Sequence, residues 1–106
     1  MTDDTLEGYQ RAHDRAPAFG GSDGCSYSVA TYVDDAPDAD GRYGGALLFV
    51  RWSPAGDRPL GHLETEYLAF GGTPGAALEP ILRLPLRDVK AHLDRCIADA
   101  AREGGA

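Results

Sequence analysis

The spacing of hydrophobic positions predicts a long β-hairpin in the middle of this chain. Residues 46–52 form an almost unbroken apolar run, and residues 60–70 alternate apolar with polar positions. A continuous apolar strand is typical of the inside of a sheet, whereas alternation is typical of a strand with one face in water. The segment 53–59 between them is rich in turn-forming residues. Residues 44–71 are therefore predicted to form one hairpin.

A further strand is predicted before this hairpin, at residues 25–33. Tyr27, Val29 and Thr31 fall on one face of that strand, and Ser26 and Ser28 fall on the other. An acidic connection, residues 34–41, leads into the apolar run. Three consecutive strands joined by short connections favour an antiparallel meander.

Beyond residue 72 the apolar spacing becomes three and four residues, which predicts helices. Thr73 and Pro74 are typical of an N-cap and a first helical position, and Pro80 is expected to interrupt that helix. A longer helix is predicted over residues 86–102, ending at Gly104 and Gly105. Its apolar stripe consists of Leu86, Val89, Leu93, Cys96, Ile97 and Ala100.

Together these elements predict one α+β domain over residues 1–106, with a three-stranded antiparallel meander and a carboxy-terminal helix packed on one of its faces. Residues 25–71 form the meander and residues 73–103 the helical segment. Residues 1–24 are expected to be loosely structured, with a short helix capped by Thr5. Gly8 weakens that helix, because glycine is a poor helix former.

Charge and composition limit the partners of a 106-residue chain whose formal net charge is −7. Nucleic acids and anionic membranes attract clustered lysine and arginine, and here the ten basic residues are scattered. The sequence has no apolar window of about 18 residues that would span a bilayer. Its acidic amino terminus is unlike a signal peptide. We therefore expect a cytoplasmic protein in which Cys25 and Cys96 are reduced thiols.

Three short motifs resemble catalytic or calcium-binding sequences, but each lacks the context its chemistry needs. Residues 20–24 match the serine hydrolase pattern G-x-S-x-G, yet that elbow lies between a strand and a helix, not before a strand. Residues 62–64 match the start of a deaminase zinc motif without its cysteine partner. The aspartates in residues 34–41 lack the spacing of a calcium loop. The sequence therefore favours a protein without catalytic activity over an enzyme.

One cluster of polar residues on the second hairpin arm is a candidate binding site. His62, Glu64 and Glu66 alternate along the second hairpin arm, so they are predicted to project from one face. They could bind a small ligand or a divalent metal, or they could form an ordinary polar surface with Arg51 as a cross-strand ion-pair partner. No fourth metal ligand is identifiable from the sequence, so we expect no metal and no cofactor.

The central strand also predicts an interface. Leu48, Val50 and Trp52 lie on one of its faces and Leu47 and Phe49 on the other, while one helical stripe covers only one face. An uncovered apolar face would be unusual for a monomer. We expect a small acidic interaction or accessory protein, without catalytic activity, that acts as a homodimer or with a protein partner. Leu47 and Phe49 are its interface candidates. Ligand binding at the polar cluster is the alternative function.

Overall fold

An antiparallel sheet and three helices make up the fold, in a computed structural model that describes residues 4–104. The predicted α+β class is confirmed, as are the carboxy-terminal helix and the short amino-terminal helix. The elements in chain order are α1 (Leu6–His13), β1 (Ala18–Gly20), β2 (Ser26–Val33), β3 (Tyr43–Trp52), β4 (Pro59–Glu64), β5 (Ala69–Gly71), α2 (Pro74–Leu82) and α3 (Leu86–Gly104).

The sheet has five strands where the sequence predicted three. Its order is β1-β2-β3-β4, and β5 pairs with the same edge of β3 as β4 does. The second hairpin arm is divided because Leu47 N donates to the Thr65 hydroxyl oxygen at 3.0 Å, in place of a backbone carbonyl. The ladder stops there and resumes at β5. The other additional strand, β1, is only three residues long, too short to show a periodic pattern.

The register places alternate residues of each strand on two faces of very different character. On one face, Val29 pairs with Phe49, and Phe49 pairs with Leu63. We call this the covered face, because the helices pack on it. The opposite face, which we call the open face, comprises Ser26, Ser28, Ala30 and Tyr32 of β2, Ala46, Leu48, Val50 and Trp52 of β3, and His62 and Glu64 of β4.

The hydrophobic core lies between the covered face and the helices. Its fully buried members come from both layers: Leu6, Tyr27, Val29, Leu47, Phe49, Ile81, Val89 and Leu93. The predicted stripe of α3 is therefore buried at Val89 and Leu93, and it is partly buried at Cys96 and Ile97. Close packing of α2 requires Gly45, since a Cβ atom there would lie 2.9 Å from Ile81 Cδ1 and 3.1 Å from the Ala77 carbonyl oxygen.

Both predicted threonine caps are present. The Thr5 hydroxyl accepts from Gly8 N at 3.0 Å, and the Thr73 hydroxyl accepts from Ala76 N at 3.1 Å. Pro80 does not end α2, which continues to Leu82. Gly104 is the last residue of α3, and the predicted stop at Gly105 lies outside the described residues.

The amino-terminal segment is an integral part of the fold, where a loose segment was expected. It supplies α1, β1 and the fully buried Leu6. Its start is fastened to the junction between α2 and α3 by a short antiparallel bridge between Thr5 and Pro85. Leu6 N donates to the Leu84 carbonyl at 2.9 Å beside this bridge. Residues 1–3 of the predicted segment lie outside the described residues.

None of the described helices has both the length and the apolar character needed to cross a bilayer.

Candidate interaction surfaces

The open face is the face of the sheet that the described helices leave uncovered. Leu48, Val50 and Trp52 are only partly buried there, in contrast to the fully buried Leu47 and Phe49. The Trp52 indole N–H donates to the Ser28 hydroxyl at 2.9 Å, which fixes the ring against the neighbouring strand. The strands β2 and β3 place no acidic or basic side chain on this face. It is thus an apolar surface with a few hydroxyl groups.

Three aromatic side chains extend the open face at the end near Gly44. Tyr32, Tyr67 and Phe70 are each between 43% and 47% exposed, so a large part of every ring meets solvent. The Tyr67 ring lies on Gly44, where a Cβ atom would come within 2.6 Å of it. Tyr67 also meets Phe70 edge to face, with ring centroids 5.4 Å apart. We call Tyr32, Tyr67 and Phe70 the aromatic corner.

A single carboxylate holds the aromatic corner in place. Asp34 Oδ1 accepts from the Tyr67 hydroxyl at 2.7 Å and from the Tyr32 hydroxyl at 3.3 Å, while Oδ2 accepts from Gly44 N at 3.2 Å. The hydrogen bond to Asp34 raises the pKa of Tyr67 to about 12. The Asp34 charge likewise raises the pKa of Tyr32. Both phenols remain neutral donors at physiological pH, so the rings are uncharged contact groups.

A second surface lies along the outer edge of β4, where α3 runs beside the sheet. The two elements enclose a groove of about 360 Å³. We call it the edge groove. Its sheet side includes His62, Glu64 and Leu68, and its helix side includes His92, Arg95, Cys96, Asp99 and Glu103. The Cys96 thiol donates to the Glu64 carbonyl at 3.5 Å, which brings the helix and the strand into contact along the groove. Burial raises the pKa of Cys96, so this thiol keeps its proton.

The polar cluster predicted from the sequence is only partly assembled. His62 and Glu64 share the open face, but β4 ends at Glu64, and Glu66 lies in the connection to β5. Arg51 is not their cross-strand partner, because it pairs with Gly61 and so lies on the covered face. Within residues 4–104 no three His, Cys, Asp or Glu side chains are grouped closely enough to hold a metal ion, and Arg51 forms no ion pair.

The two interface candidates are also corrected by the register. Leu47 and Phe49 belong to the covered face and have no exposed surface, because α2 and α3 pack over them. Their neighbours Leu48 and Val50 occupy the uncovered face instead. The sequence predicted that one face of β3 would be uncovered, but a shift of one residue exchanges the faces. The sequence alone therefore does not determine which face the helices cover.

Sequence reasoning did not find Asp34 as an anchor or α3 as a groove wall. Asp34 was interpreted only as part of an acidic connection, although it directly follows the last residue of β2. Arg95 and Asp99 fall outside the predicted apolar stripe of α3, and nothing local relates them to β4, some thirty residues earlier. The sequence did carry a signal for close packing on β3, namely the consecutive glycines Gly44 and Gly45. Glycine inside a strand indicates that other groups approach its backbone closely.

Comparison of this chain with protein families, with curated proteins and with solved structures finds no match.

Proposed function

We propose that this chain is a non-catalytic interaction protein that forms a homodimer by pairing the open faces of two copies. The observation that carries the proposal is the absence of charge from β2 and β3 on that face, in a chain of which 25% is charged. Depletion of charge combined with partly exposed aromatic rings is typical of the centre of a protein interface. Trp52, Tyr32 and Tyr67 are of the residue types that most often dominate binding energy.

The dimensions of the open face support the same proposal. The ten residues of β3 extend for about 33 Å, and three or four strands about 4.8 Å apart give a width of about 15 Å. The projected area is about 500 Å², to which side-chain relief and the aromatic corner add; stable interfaces bury about 800 Å² per partner. Two such faces can pack about 10 Å apart, as in a β-sandwich.

A second copy is the proposed partner because the pairing of identical faces closes on itself. A two-fold axis lets each open face cover the other and leaves neither open face free for further growth. The negative charge of the chain does not oppose this contact at its centre, since the acidic residues that the structure describes lie on the helices, the loops and the outer strand β4. If the wild type is a monomer in solution, an unrelated protein becomes the alternative partner for the open face.

Light scattering coupled to size exclusion tests the proposal at micromolar concentration. We expect twice the chain mass for the wild type, and the single chain mass for Val50→Asp, since each dimer would then bury two carboxylates. Ala98→Asp is the matched control, because it adds the same charge at an exposed position of α3 and should stay dimeric. A wild type that is monomeric at 100 µM, a concentration of about 10⁻⁴ M, contradicts the proposal.

A second variant guards against a folding defect in the first. Tyr32→Arg changes a side chain that is already 43% exposed, so circular dichroism should show the wild-type fold. Dimerisation should still be lost, because Tyr32 lies on the open face. A folded Tyr32→Arg protein that elutes and scatters as a dimer would move the interface elsewhere.

We also propose that the protein works in the cytoplasm without nucleic acid, membrane or cofactor as a partner. Cys25 and Cys96 are both free thiols in the structure, which is typical of a reducing compartment. The net charge of −7 disfavours polyanions. Fractionation of cells that express the chain, followed by immunoblotting, should place it in the soluble cytoplasmic fraction. Recovery from another compartment contradicts this.

The alternative function, ligand binding at the polar cluster, is favoured by one observation. His62, Glu64 and Glu66 all line the edge groove, although they do not form a metal site. The residues that line this groove indicate which class of ligand it would bind.

A further inference from the structure

We propose that the edge groove binds an extended peptide segment of a partner protein, which carries basic side chains and adds as a strand to the outer edge of β4. This site lies along the outer edge of β4 and shares only His62 and Glu64 with the open face, and it does not depend on dimerisation. Addition of a strand to an exposed sheet edge is a recurrent mode of peptide recognition, in which main-chain hydrogen bonds supply affinity and side-chain pockets supply specificity.

The first observation is that the backbone of β4 has free groups on its outer side. Thr65 N donates to the Leu47 carbonyl at 3.0 Å, so in this antiparallel ladder Thr65, Leu63 and Gly61 direct their backbone groups toward β3. His62 and Glu64 direct theirs outward. The outward direction is visible at Glu64, whose carbonyl accepts from the Cys96 thiol. Among residues 4–104, no hydrogen bond outside the strand ladders involves the backbone N–H of His62 or Glu64.

The second observation is that this free edge faces a groove and not open solvent. A strand in the groove would have β4 on one side and the flank of α3 on the other, over partly buried Leu63 and Leu68. Its volume of about 360 Å³ lies within the range of about 300–1,000 Å³ that is typical of ligand sites. On the outer side of β4 the Glu64 carbonyl accepts from the Cys96 thiol, which is a weak donor and easily replaced.

The third observation selects the charge of the peptide. The groove is lined by four carboxylates, those of Glu64, Glu66, Asp99 and Glu103, and by one guanidinium, that of Arg95. Asp99 is paired with Arg102, and within residues 4–104 the three glutamates form no ion pair. A second copy of β4 would bring the same carboxylates against these, and like charges repel. A peptide with lysine or arginine side chains is complementary.

The test uses the full chain and a fluorescein-labelled hexapeptide of alternating lysine and valine. We expect saturable binding by fluorescence anisotropy, and slower exchange of the His62 and Glu64 amide protons when the peptide is present. A second peptide has the same sequence and charge but is N-methylated at alternate residues, on the edge that faces β4. It should bind at least tenfold more weakly, because it loses backbone hydrogen bonds. Equal affinity for the two peptides overturns the proposal, as does the absence of saturation at millimolar peptide.

Two pairs of variants separate strand addition from general attraction to an acidic protein. His62→Ala removes only the side chain, whereas His62→Pro also removes one outward N–H, so His62→Pro should bind about tenfold more weakly than His62→Ala. Asp99→Lys reverses a charge in the groove, and Asp88→Lys makes the same change at an exposed position of α3 outside it. Equal weakening by Asp99→Lys and Asp88→Lys overturns the proposal. If His62→Pro does not fold, the comparison of the N-methylated and unmethylated peptides on the wild-type protein still tests strand addition.

Discussion

Adjacent residues of β3 have opposite environments, and the difference shows what the two faces of the sheet contribute. Phe49 is fully buried among residues of β2, β4 and the helices, whereas Val50, the next residue, lies partly exposed on the open face. Both are large apolar groups in the same hydrogen-bonded strand. Only the covered face can therefore account for most of the core free energy, which leaves the open face available for a partner.

The largest expected effect comes from placing a charge on each face in turn. Phe49→Asp buries a carboxylate with no partner in the core, a change that costs several kcal/mol against a typical domain stability of about 5–15 kcal/mol. We expect an unfolded protein by circular dichroism, whereas Val50→Asp stays folded. A cooperative melt of Phe49→Asp near the wild-type temperature would show that the two faces do not differ.

Leucine truncation on the two faces should differ by a smaller margin. Leu47→Ala creates a cavity in the core and should lower the free energy of unfolding by about 2–5 kcal/mol. Leu48→Ala, the same change one residue on, should cost about 1 kcal/mol in the monomer, since its side chain is only partly buried. Urea unfolding at two protein concentrations separates monomer stability from dimerisation. Equal midpoints for both variants would contradict the assignment of faces.

The two glycines of β3 sharpen the comparison further. Gly45→Ala places a Cβ against the backbone of α2, and overpacking of this kind costs about 1–3 kcal/mol. Gly44→Ala meets only the Tyr67 ring, which is 47% exposed and can turn away, so its cost should be less than about 1 kcal/mol. Thermal melts of the two variants give the order. A Gly44→Ala variant that melts at a lower temperature than Gly45→Ala would mean that the Tyr67 ring cannot move.

Alkaline titration gives the smallest expected effect, and it tests how Tyr27 is buried on the covered face. Burial on the covered face, together with a 2.7 Å hydrogen bond from its hydroxyl to Asp23, raises the pKa of Tyr27 from about 10 to about 12. The unfolded chain therefore loses this proton first, and the associated stability, complete below pH 10, is lost as the pH rises toward 12. Tyr27→Phe should be less sensitive over this range in urea midpoints at pH 9, 10 and 11. An unchanged slope would exclude Tyr27 as the cause.

Local signals predicted the parts of the fold that depend on neighbouring residues. Thr5 and Thr73 cap helices through contacts three residues away, and the alternation of β2 follows from its own side chains. The division of the second hairpin arm could not be predicted in this way. It depends on the Thr65 hydroxyl reaching Leu47, while the alternation of side chains continues without a break. The choice of covered face depends on α2 packing against Gly45, which is a tertiary contact.

The candidate surfaces were predictable to a lesser degree. That one face of β3 would be uncovered follows from its apolar run and from the single helical stripe, but the identity of that face does not. The edge groove joins residues of β4 to residues of α3, and their sequence separation leaves no periodic trace. Arg51 shows the limit most clearly: it was placed with His62 by charge, and the register assigned it to the other face.

The bridge between Thr5 and Pro85 has a consequence for the order of folding. Consecutive strands pair throughout β1 to β4, so the sheet can form by short closures, whereas this bridge joins residues 80 positions apart. Closing a longer loop costs more chain entropy, and we expect this step to come after the main barrier. Leu6→Ala should then accelerate unfolding and leave the refolding rate unchanged in stopped-flow measurements. A slower refolding rate would place the amino-terminal helix in the folding nucleus.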